Sequence, residues 1–479
     1  MNQLIVYDAP KGAPQRQDFK VRVRLPDGAW QELFVYEAKV DMHEVRRASM
    51  AYFDMSGTVF VEVEYTGPAV EDAVIRPLSA GMAFTRDGNV LAFALDRPCK
   101  LSVEVNGDRF GNLHLFANPL ETDAPRPEDE GVLLLKPAIH RTADIYRKLK
   151  AGEAPKIIYF GPGMHYIEET LLRIPSDTTV YIAGGAVVAG SLVCERAENV
   201  VIRGRGVLYL GDYHRFSAFR GIRIEFSKRI SVEGLILLDP PHYSIYIGKS
   251  EFVLIENFKS FSTRGWSDGI DMMASSDIEI RDVFLRTSDD CIAIYGSRWD
   301  YRGDTRRVRV SDSILWADVA HPLMMGTHGD HDRDGDTIEE ITFSNIDILE
   351  HHEPQPDYWG AMAINAGDKN RVRQVTYEDI RVEAFELGQL IDIRVVWNKD
   401  YNPVPGGAIS GIVFRRIRYT GANMNPNRIH GYDPERPVDG VRFEDLEING
   451  QPVTDAAQGN FDINEYAVNI TFAATEDEQ

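Results

Sequence analysis

The sequence predicts an all-β protein in which an N-terminal antiparallel β-sandwich precedes a right-handed parallel β-helix. Apolar and polar residues alternate in short segments before residue 120, and a six-residue pattern recurs from residue 200 onward. Between these regions, near residue 125, lies a segment rich in proline and acidic residues. The 39 glycines and 24 prolines are scattered along 479 residues, which favours short strands joined by turns over long helices.

The first domain, predicted to span residues 1–125, shows the period of two that is typical of half-buried strands. Valines at positions 59, 61 and 63 share one face of a segment, while glutamates at 62 and 64 share the other. Such strands, separated by Gly- and Pro-containing turns, favour a sandwich, which could also mediate oligomer formation. The predicted strands are Phe19–Leu25, Trp30–Tyr36, Val59–Tyr65 and Leu101–Val105.

A linker and a short helix are predicted between the two domains. The segment Asn118–Gly131 has linker composition. Helical spacing over Thr142–Lys150 predicts a helix that covers the exposed first edge of the second domain. That domain is predicted to span residues 126–470, and the acidic residues 471–479 are predicted to form a disordered tail.

The second domain is predicted from a repeat in which apolar and polar residues alternate before an Asp, Asn or Gly and a further apolar residue. Successive copies begin 23 to 37 residues apart, as in a solenoid whose short coils carry insertions. The closing Asp or Asn tolerates the left-handed conformation that a tight corner needs. The copies begin at Val200, Ile230, Val253, Ile278, Val308, Ile341, Val375, Ile412 and Val441.

Composition excludes several classes of protein. The net charge of −22 opposes binding to nucleic acid or to an anionic membrane surface. No segment approaches the roughly 20 apolar residues of a membrane span. The three cysteines, Cys99, Cys194 and Cys291, are odd in number and far apart, so a disulfide framework is not expected. The N-terminal segment lacks the pattern of a signal peptide, and we expect a cytoplasmic protein.

Four titratable residues recur at matched places in three consecutive repeats. They are Asp268 in WSDGIDMM, Asp289 and Asp290 in TSDDCIAIYG, and His321 in AHPLMMGTHG. Stacked coils would place these side chains roughly 5 to 10 Å apart, the range that carboxylate pairs use in glycosidases. These four residues are the predicted catalytic groups.

With these motifs in view, the chain resembles glycoside hydrolase family 28, the polygalacturonases, within the pectin-lyase-like β-helix superfamily. Ser267-Asp268-Gly269, Asp289-Asp290-Cys291 and His321-Pro322-Leu323 are similar to three of that family's motifs. The resemblance implies hydrolysis of a carbohydrate substrate. We expect an inverting reaction in which Asp290 is the general acid, Asp268 and Asp289 activate water, and His321 orients the set, with no cofactor or metal.

One motif departs from the family. Its basic Arg-Ile-Lys element, which holds a galacturonate carboxylate, is replaced here by Ala363-Ile364-Asn365. A neutral sugar is therefore the expected substrate, and the two-domain layout is also similar to family 49, which acts on neutral glucans. Three alternatives stay open, namely a polygalacturonase, a polysaccharide lyase on the same scaffold and a non-catalytic glycan-binding protein.

Further candidate residues lie in insertions around the central motifs. Aromatic rings stack on sugars, and polar side chains bind their hydroxyls. The run Asp330, Asp332, Asp334 begins like a calcium-binding loop, although Ile341 stands where the bidentate acid is required. The predicted substrate-binding residues are Asp271, Trp299, His328, Asp330, His331, Trp359, Asn365, Arg394 and Trp397.

Overall fold

The computed structural model describes residues 2–151, 156–214, 220–422 and 425–473, and it confirms the all-β prediction. In these ranges, helix is limited to α1 (Thr142–Ala151) and a 3-10 turn at Leu78–Ala80. No helix in the described part of the chain is both long and apolar enough to cross a membrane.

The N-terminal domain consists of two sheets that enclose an apolar core. The strands are β1 (Gln3–Ile5), β2 (Phe19–Arg24), β3 (Gln31–Leu33), β4 (Tyr36–Val40), β5 (Arg46–Ser56), β6 (Val59–Tyr65), β7 (Ala73–Arg76), β8 (Thr85–Asp87), β9 (Val90–Leu95), β10 (Cys99–Val105) and β11 (Asp108–Pro119). One sheet has the order β1-β5-β11-β10-β7 with β4 paired to β5, and the other has the order β3-β2-β6-β9-β8.

Two details of this domain differ from the predictions. The predicted strand Trp30–Tyr36 is divided between β3 and β4, which belong to different sheets. The pairing of β5 with β11 is parallel, with Leu113 opposite Ser49, although the other pairings in this domain are antiparallel. Alternation predicts which side of a strand is buried but not its direction relative to a distant strand, so neither detail was accessible from the pattern.

The second domain is one continuous parallel β-helix, as predicted. Each strand from Val132–Leu135 to Val438–Ile448 pairs in parallel with a strand two or three positions later in the chain, and apolar side chains from the coils fill the interior. Its first strands are β12 (Val132–Leu135), β13 (Ala138–His140), β14 (Lys156–Phe160), β15 (Gly163–Arg173), β16 (Thr178–Ile182), β17 (Ala186–Glu195), β18 (Glu198–Gly204), β19 (Val207–Tyr209), β20 (Ile222–Glu225), β21 (Lys228–Glu233), β22 (Ile236–Leu238), β23 (Ile245–Gly248), β24 (Glu251–Glu256), β25 (Lys259–Phe261) and β26 (Ile270–Met273).

The later coils contain longer strands, and the final coil is closed by short ones. They are β27 (Ser276–Arg281), β28 (Phe284–Thr287), β29 (Ile292–Tyr295), β30 (Thr305–Ala317), β31 (Leu323–Met325), β32 (Thr337–Glu350), β33 (Met362–Ala366), β34 (Arg371–Val382), β35 (Ile391–Val395), β36 (Ala408–Tyr419), β37 (Asn427–His430), β38 (Val438–Ile448), β39 (Gln451–Pro452), β40 (Phe461–Ile463) and β41 (Ala467–Ala473).

The nine copies of the repeat stack in register. Val200 pairs with Ile230, Ile230 with Val253, and the series continues through the first residue of every predicted copy. The residues at the fifth position have positive φ, for example 54° at Asp282 and 52° at Asn345. The sequence pattern therefore predicted both the stacking and the corners of the β-helix.

The two ends of the β-helix differ from each other. Helix α1 buries Ile145 and Leu149 against the first coils, as predicted for a helix that covers this edge. At the other end, β41 continues to Ala473, so residues 471–473 are in a strand and the prediction of a tail beginning at residue 471 is wrong for these three. Residues 474–479 lie outside the described part of the chain.

The sandwich packs along the side of the β-helix. Tyr36, Met50 and Phe116 from the sandwich form one apolar cluster with residues such as Phe261 and Phe284 of the β-helix. The contact extends to the segment that carries Asp268, because Thr263 Oγ1 donates a hydrogen bond to the Asp41 carbonyl at 2.8 Å.

Candidate active site

The predicted catalytic residues occupy equivalent places in three consecutive coils. Strands β26, β29 and β31 pair in parallel, with Ile270 opposite Ile292 and Ile292 opposite Leu323. Just before these strands, Gly269 N donates to the Asp290 carbonyl and Cys291 N donates to the His321 carbonyl, each at 2.8 Å. The side chains that precede the strands are thereby held side by side on one face of the β-helix.

Asp268, Asp289 and Asp290 form a compact carboxylate cluster. One carboxylate oxygen from each lies within 4.8 Å of the others. Asp268 and Asp290 are buried, whereas Asp289 is partly exposed. The Asp289 carboxylate accepts hydrogen bonds from the backbone N–H groups of Trp266 and Asp290, both at 3.0 Å. These bonds fix its orientation at the open side of the cluster.

His321 connects the cluster to the next coils. Its Nδ1 lies 2.7 Å from Asp290 Oδ1, and its Nε2 lies 2.6 Å from the Tyr358 carbonyl oxygen. A carbonyl only accepts hydrogen bonds, so Nε2 carries a proton. The contact between Nδ1 and Asp290 then requires a second proton, carried either by the imidazole or by the carboxyl group. The Asp290 and His321 pair is thus built to hold one transferable proton.

The protonation of these groups is shifted by burial and by charge. Burial and the neighbouring Asp290 raise the pKa of Asp289 to about 7. Burial alone would lower the pKa of His321, but Asp290 and Glu353 raise it to about 9. At neutral pH the proton on His321 is therefore retained, and Asp289 ionises within the neutral range.

Asp271 is a fourth carboxyl group behind the cluster, in β26 and fully buried. Burial raises the pKa of both Asp271 and Asp268 well above the usual value, and the charge of Asp271 raises the pKa of Asp268 further. No N–H or O–H donor among the described residues reaches either Asp271 oxygen. Asp271 is therefore a buried neighbour of Asp268 that affects how readily Asp268 ionises.

Arg298 is the cation that faces these two carboxyl groups. Its Nη1 lies 4.0 Å from Asp271 Oδ2 and donates to the Tyr243 hydroxyl at 2.6 Å. Its guanidinium also lies 4.5 Å from the Trp299 ring centroid. Arg298 therefore balances part of the negative charge on the N-terminal side of the cluster.

Exposed aromatic rings lie on that same side. Trp299 is 42% exposed and packs near Tyr243, while Trp266, the first residue of the motif that contains Asp268, is 57% exposed. His328 lies against Tyr295, and burial together with Arg298 lowers its pKa well below 6.5, so it is neutral. Of the three, Trp299 and Trp266 present surfaces on which a sugar could stack.

On the C-terminal side of the cluster lie three predicted substrate-binding residues, Asn365, Arg394 and Trp397. Asn365 belongs to the segment that replaces the basic element. Asn365 is buried, and its Nδ2 donates to Asp392 Oδ2 at 3.2 Å. Arg394, its register partner in the next coil, donates from Nη2 to Asn365 Oδ1 at 3.2 Å and forms a 2.8 Å ion pair with Asp392. Trp397 follows in the same loop and is 44% exposed.

The remaining predicted residues make contacts within their own loops. Trp359 Nε1 donates to the Glu353 carbonyl at 2.8 Å, which fastens its own loop. Asp330 pairs with Arg333 at 2.9 Å, and His331 pairs with the exposed Asp332 at 3.2 Å. Three side chains among the described residues have possible ligand atoms close enough together to hold a metal ion. They are Asp268, Asp289 and Asp290 of the aspartate cluster. The calcium possibility at Asp330, Asp332 and Asp334 gains no support from this geometry.

Several residues at the site were not predicted as binding residues. Arg298 and Tyr243 meet across 55 positions of sequence, and no motif connects them. Tyr401 is 40% exposed and packs on Tyr358, which also lies edge-on to His321. Tyr401 could have been identified as a candidate binding residue because it is an aromatic residue in an insertion. Trp266 was visible as the first residue of its motif.

Comparison with known proteins identifies the family to which this region is similar. The family model described as glycosyl hydrolases family 28 matches residues 217–464. A polygalacturonase of Juniperus ashei is 26% identical over 175 residues, covering 36% of this chain and 31% of that protein. A probable exopolygalacturonase B of Neosartorya fischeri is 23% identical over 310 residues, covering 57% of this chain and 66% of that protein. The matched segments thus span less than two thirds of these relatives.

Solved structures support the fold over nearly the whole chain. Dex49A from Penicillium minioluteum has a TM-score of 0.68 at 16% identity and covers 98% of this chain and 96% of its own. A family 28 exopolygalacturonase of Yersinia enterocolitica has a TM-score of 0.52 at 9% identity and covers 98% and 100%. Because the family model spans more than half of the sequence, including all four predicted catalytic residues, the chain belongs to glycosyl hydrolases family 28.

Proposed function

We propose that the protein hydrolyses glycosidic bonds of an oligo- or polysaccharide with Asp268, Asp289, Asp290 and His321. The observation that carries this proposal is the pairing of a compact carboxylate cluster with one histidine that shares a proton with Asp290. Cleavage through an oxocarbenium-like transition state needs one group that donates a proton and one that activates water. The cluster contains carboxyl groups in different environments for these two roles.

Asp290 is the proposed general acid. Its Oδ1 is occupied by the backbone N–H and the ring Nδ1 of His321, at 3.1 and 2.7 Å. Its Oδ2 is proposed to carry a further proton, in addition to the one shared between Oδ1 and Nδ1, and to donate it to the leaving oxygen. His321 holds a proton up to about pH 9 and can replace the one that Asp290 transfers. The histidine is therefore a positioning and proton-supplying residue beside the acid.

Asp289 and Asp268 are proposed to hold and activate the attacking water. Asp289 is the partly exposed member of the cluster, and two backbone N–H groups orient it. We propose inversion at the anomeric carbon, as the family resemblance implies. The closest oxygens of the cluster are nearer than the roughly 6.5–9.5 Å that is usual between the carboxyl groups of inverting enzymes, so this part of the proposal rests on the resemblance.

The sugar at the bond that is cleaved is proposed to be neutral. Asn365 belongs to the segment that replaces the basic element of the family, and its amide is hydrogen-bonded to Asp392 and Arg394. A carboxylate placed there would face three aspartates without a directly opposed cation, which is electrostatically unfavourable.

An oligogalacturonate is the second candidate substrate. It is favoured by the names of the relatives, which are polygalacturonases and exopolygalacturonases, and by the position of Arg394 one coil beyond Asn365. If Arg394 turned from Asp392 toward the substrate, it could bind a sugar carboxylate near the cleavage point.

A panel of glycans tests the proposal. Neutral di- and trisaccharides and oligogalacturonates are offered at equal concentration, and reducing ends, ultraviolet-absorbing products and the first-formed anomer by NMR are followed. The proposal expects hydrolysis, faster on neutral chains, with an inverted anomer and loss of turnover in Asp290→Asn.

An unsaturated product would identify a lyase instead. Binding that survives in Asp290→Asn, with no turnover in the wild type, would identify a glycan-binding protein. Faster turnover of galacturonates would establish the second candidate.

A further inference from the structure

A turn formed by residues 263–267 lies directly before Asp268 and reaches the catalytic cluster through its backbone. The Trp266 N–H donates to Asp289 Oδ2 at 3.0 Å. A second donor to this carboxylate, the Asp290 N–H, follows Asp289 directly in the chain. The Trp266 N–H instead belongs to the preceding coil, so its alignment with Asp289 depends on how the turn is held.

The backbone of Trp266 needs support from its neighbours. Its φ is 62°, in the left-handed region that residues other than glycine adopt rarely. A residue keeps such a conformation when the structure around it fixes the chain. Arg264 and Ser267 close the turn around it, because the Arg264 N–H donates to Ser267 Oγ at 3.2 Å and the Ser267 N–H donates to the Arg264 carbonyl at 3.1 Å. The position of the Trp266 N–H therefore follows that of Arg264.

The Arg264 side chain fastens the turn to earlier coils of the β-helix. Its Nε and Nη2 donate to the two carboxylate oxygens of Asp239 at 3.2 and 3.1 Å. Its Nη1 donates to the Tyr213 carbonyl at 2.6 Å, and Nη2 also donates to the Gly211 carbonyl at 3.1 Å. A two-point contact with a carboxylate fixes the direction of a guanidinium as well as its distance. These bonds therefore set the orientation of the turn.

The sandwich domain is bonded to the same turn. The buried Thr263 hydroxyl lies 3.2 Å from the Val40 carbonyl and 2.8 Å from the Asp41 carbonyl, at the end of β4. Lys39, also in β4, lies 3.5 Å from Asp239 Oδ2, on the carboxylate that holds the arginine. One strand of the sandwich thus contacts the turn directly and also supports the anchor of its arginine.

We propose that Arg264 and Thr263 are positioning residues for Asp289, because they hold the turn that presents the Trp266 N–H to its carboxylate. The inference rests on the water-activating role proposed above for Asp289, and it gives the sandwich domain a part in the reaction. A hydrogen bond to an ionised carboxylate favours ionisation, and the Trp266 N–H lowers the pKa of Asp289 in this way. If the turn moves, Asp289 should ionise at higher pH.

The pH dependence of kcat/KM tests the proposal in the full chain. In the wild type, kcat/KM is expected to rise with pH through about 7 as Asp289 ionises. In Arg264→Gln the midpoint of this rise should move upward by about one pH unit, because the ionised carboxylate loses a donor. A substitution that only lowered stability would reduce kcat/KM without moving the midpoint.

The other titratable groups around Asp289 are unchanged in the variants. They are the carboxyl groups of Asp268, Asp271, Asp290 and Glu353 and the hydroxyls of Tyr243, Tyr358 and Tyr401.

Two further variants separate position from charge. Thr263→Val keeps every charge and removes the bonds to β4, so the midpoint should move in the same direction by a smaller amount. Arg264→Lys keeps the positive charge but cannot reproduce the two-point contact, so it should restore the wild-type midpoint only in part.

The matched control is Arg205→Gln. Arg205 is also buried, binds both oxygens of Asp54 at 3.1 and 3.0 Å, and donates to the carbonyls of Gly204 and Pro119. It therefore has the same kinds of partner as Arg264 but does not hold the turn. Arg205→Gln should lower the melting temperature and leave the midpoint of the rise in kcat/KM unchanged.

NMR of protein labelled with ¹⁵N-tryptophan gives a measurement that needs no substrate. The Trp266 backbone amide, assigned by its absence from Trp266→Phe, should shift with a midpoint near pH 7 as Asp289 ionises. Asp289→Asn should abolish this titration, and the midpoint should rise in Arg264→Gln and in Thr263→Val. A rise of the midpoint in a protein that hydrolyses no glycan would support the positioning role and overturn the proposed function.

Three results would overturn the positioning role even if hydrolysis is observed. The first is a Trp266 amide that does not titrate in the wild type. The second is an unchanged midpoint, in kinetics and NMR, for both Arg264→Gln and Thr263→Val. The third is full restoration by Arg264→Lys with no change in Thr263→Val, which would show that the charge of the arginine acts on Asp289 directly.

Discussion

The Nδ1 atom of His321 and the Oδ1 atom of Asp290 lie 2.7 Å apart, one coil from each other in the β-helix. Because Nε2 of the same ring is committed to the Tyr358 carbonyl, the contact holds one proton whichever group carries it. Asp289 has no such histidine and is oriented by two backbone N–H groups. Adjacent carboxylates in the sequence thus have different environments, which is how one cluster can supply both an acid and a base.

The first prediction concerns pH. Asp289 activates water only when ionised, so kcat/KM should rise with pH through about 7. The pair formed by Asp290 and His321 must keep its proton, so kcat/KM should fall as pH rises through about 9. A bell-shaped dependence of kcat/KM on pH is expected between these values. Each apparent pKa describes the interacting groups of the cluster together and not one residue. A kcat/KM that stays constant from pH 6 to pH 9 would contradict the protonation states assigned to Asp289 and to the pair formed by Asp290 and His321.

The second prediction concerns the catalytic carboxylates. Asp290→Asn should lower kcat by about 10²- to 10⁴-fold, because the amide cannot protonate the leaving oxygen but keeps the shape of the side chain. Steady-state kinetics with thermal unfolding as a check on folding measures this. Asp332→Asn, at a side chain that is 68% exposed, is the control and should be unchanged. If Asp290→Asn retained near wild-type kcat while Asp289→Asn lost it, the acid role would move to Asp289.

The third prediction concerns Asp271 and stability. In the folded protein its pKa is raised by burial, so the group keeps a proton that the unfolded chain releases above about pH 4. The contribution of Asp271 to the stability of the wild type therefore declines as pH rises above that value. Asp271→Asn should remove this contribution, and its melting temperature should exceed that of the wild type by a margin that grows from pH 4 to pH 8. A lower melting temperature at every pH would show that the carboxyl group is stabilising.

The sequence was sufficient to predict features that depend on local periodicity. The first residues of the repeats, from Val200 to Val441, stack because each must place an apolar side chain inside the same coil. The positive φ of residues such as Asp282 follows from the chemistry of a tight corner. The proximity of Asp268, Asp290 and His321 follows from their matched places in consecutive coils.

Features that depend on distant contacts were not predictable in this way. Arg298 reaches Tyr243 and Asp271 through an insertion whose direction the repeat does not determine. The hydrogen bond from the Trp359 indole to the Glu353 carbonyl depends on how its loop folds, which the presence of an aromatic residue in a loop does not indicate. The parallel pairing of β5 and β11 likewise joins segments that are far apart in sequence.

The last prediction concerns the coupling of the two domains. Asp54 of the sandwich is fully buried and accepts hydrogen bonds from Arg205 Nε at 3.0 Å and from the Tyr7 hydroxyl at 2.9 Å. Arg205 belongs to the β-helix and is 2% exposed. Asp54→Asn would leave this buried guanidinium facing Glu121 at 3.9 Å as its remaining carboxylate among the described residues.

Removing one partner of a buried ion pair costs about 3–5 kcal/mol, because the other charge stays desolvated. Asp54→Asn should therefore lower the unfolding midpoint in urea. The apolar cluster shared by both domains should keep unfolding a single transition in wild type and variant alike. Asp277→Asn, which breaks the surface pair with Arg307 at 2.7 Å, is the matched control and should leave the midpoint nearly unchanged. Two separate transitions in the wild type would show that the two domains unfold independently. Equal effects of the two substitutions on the midpoint would show that the buried pair stabilises the protein no more than the surface pair does.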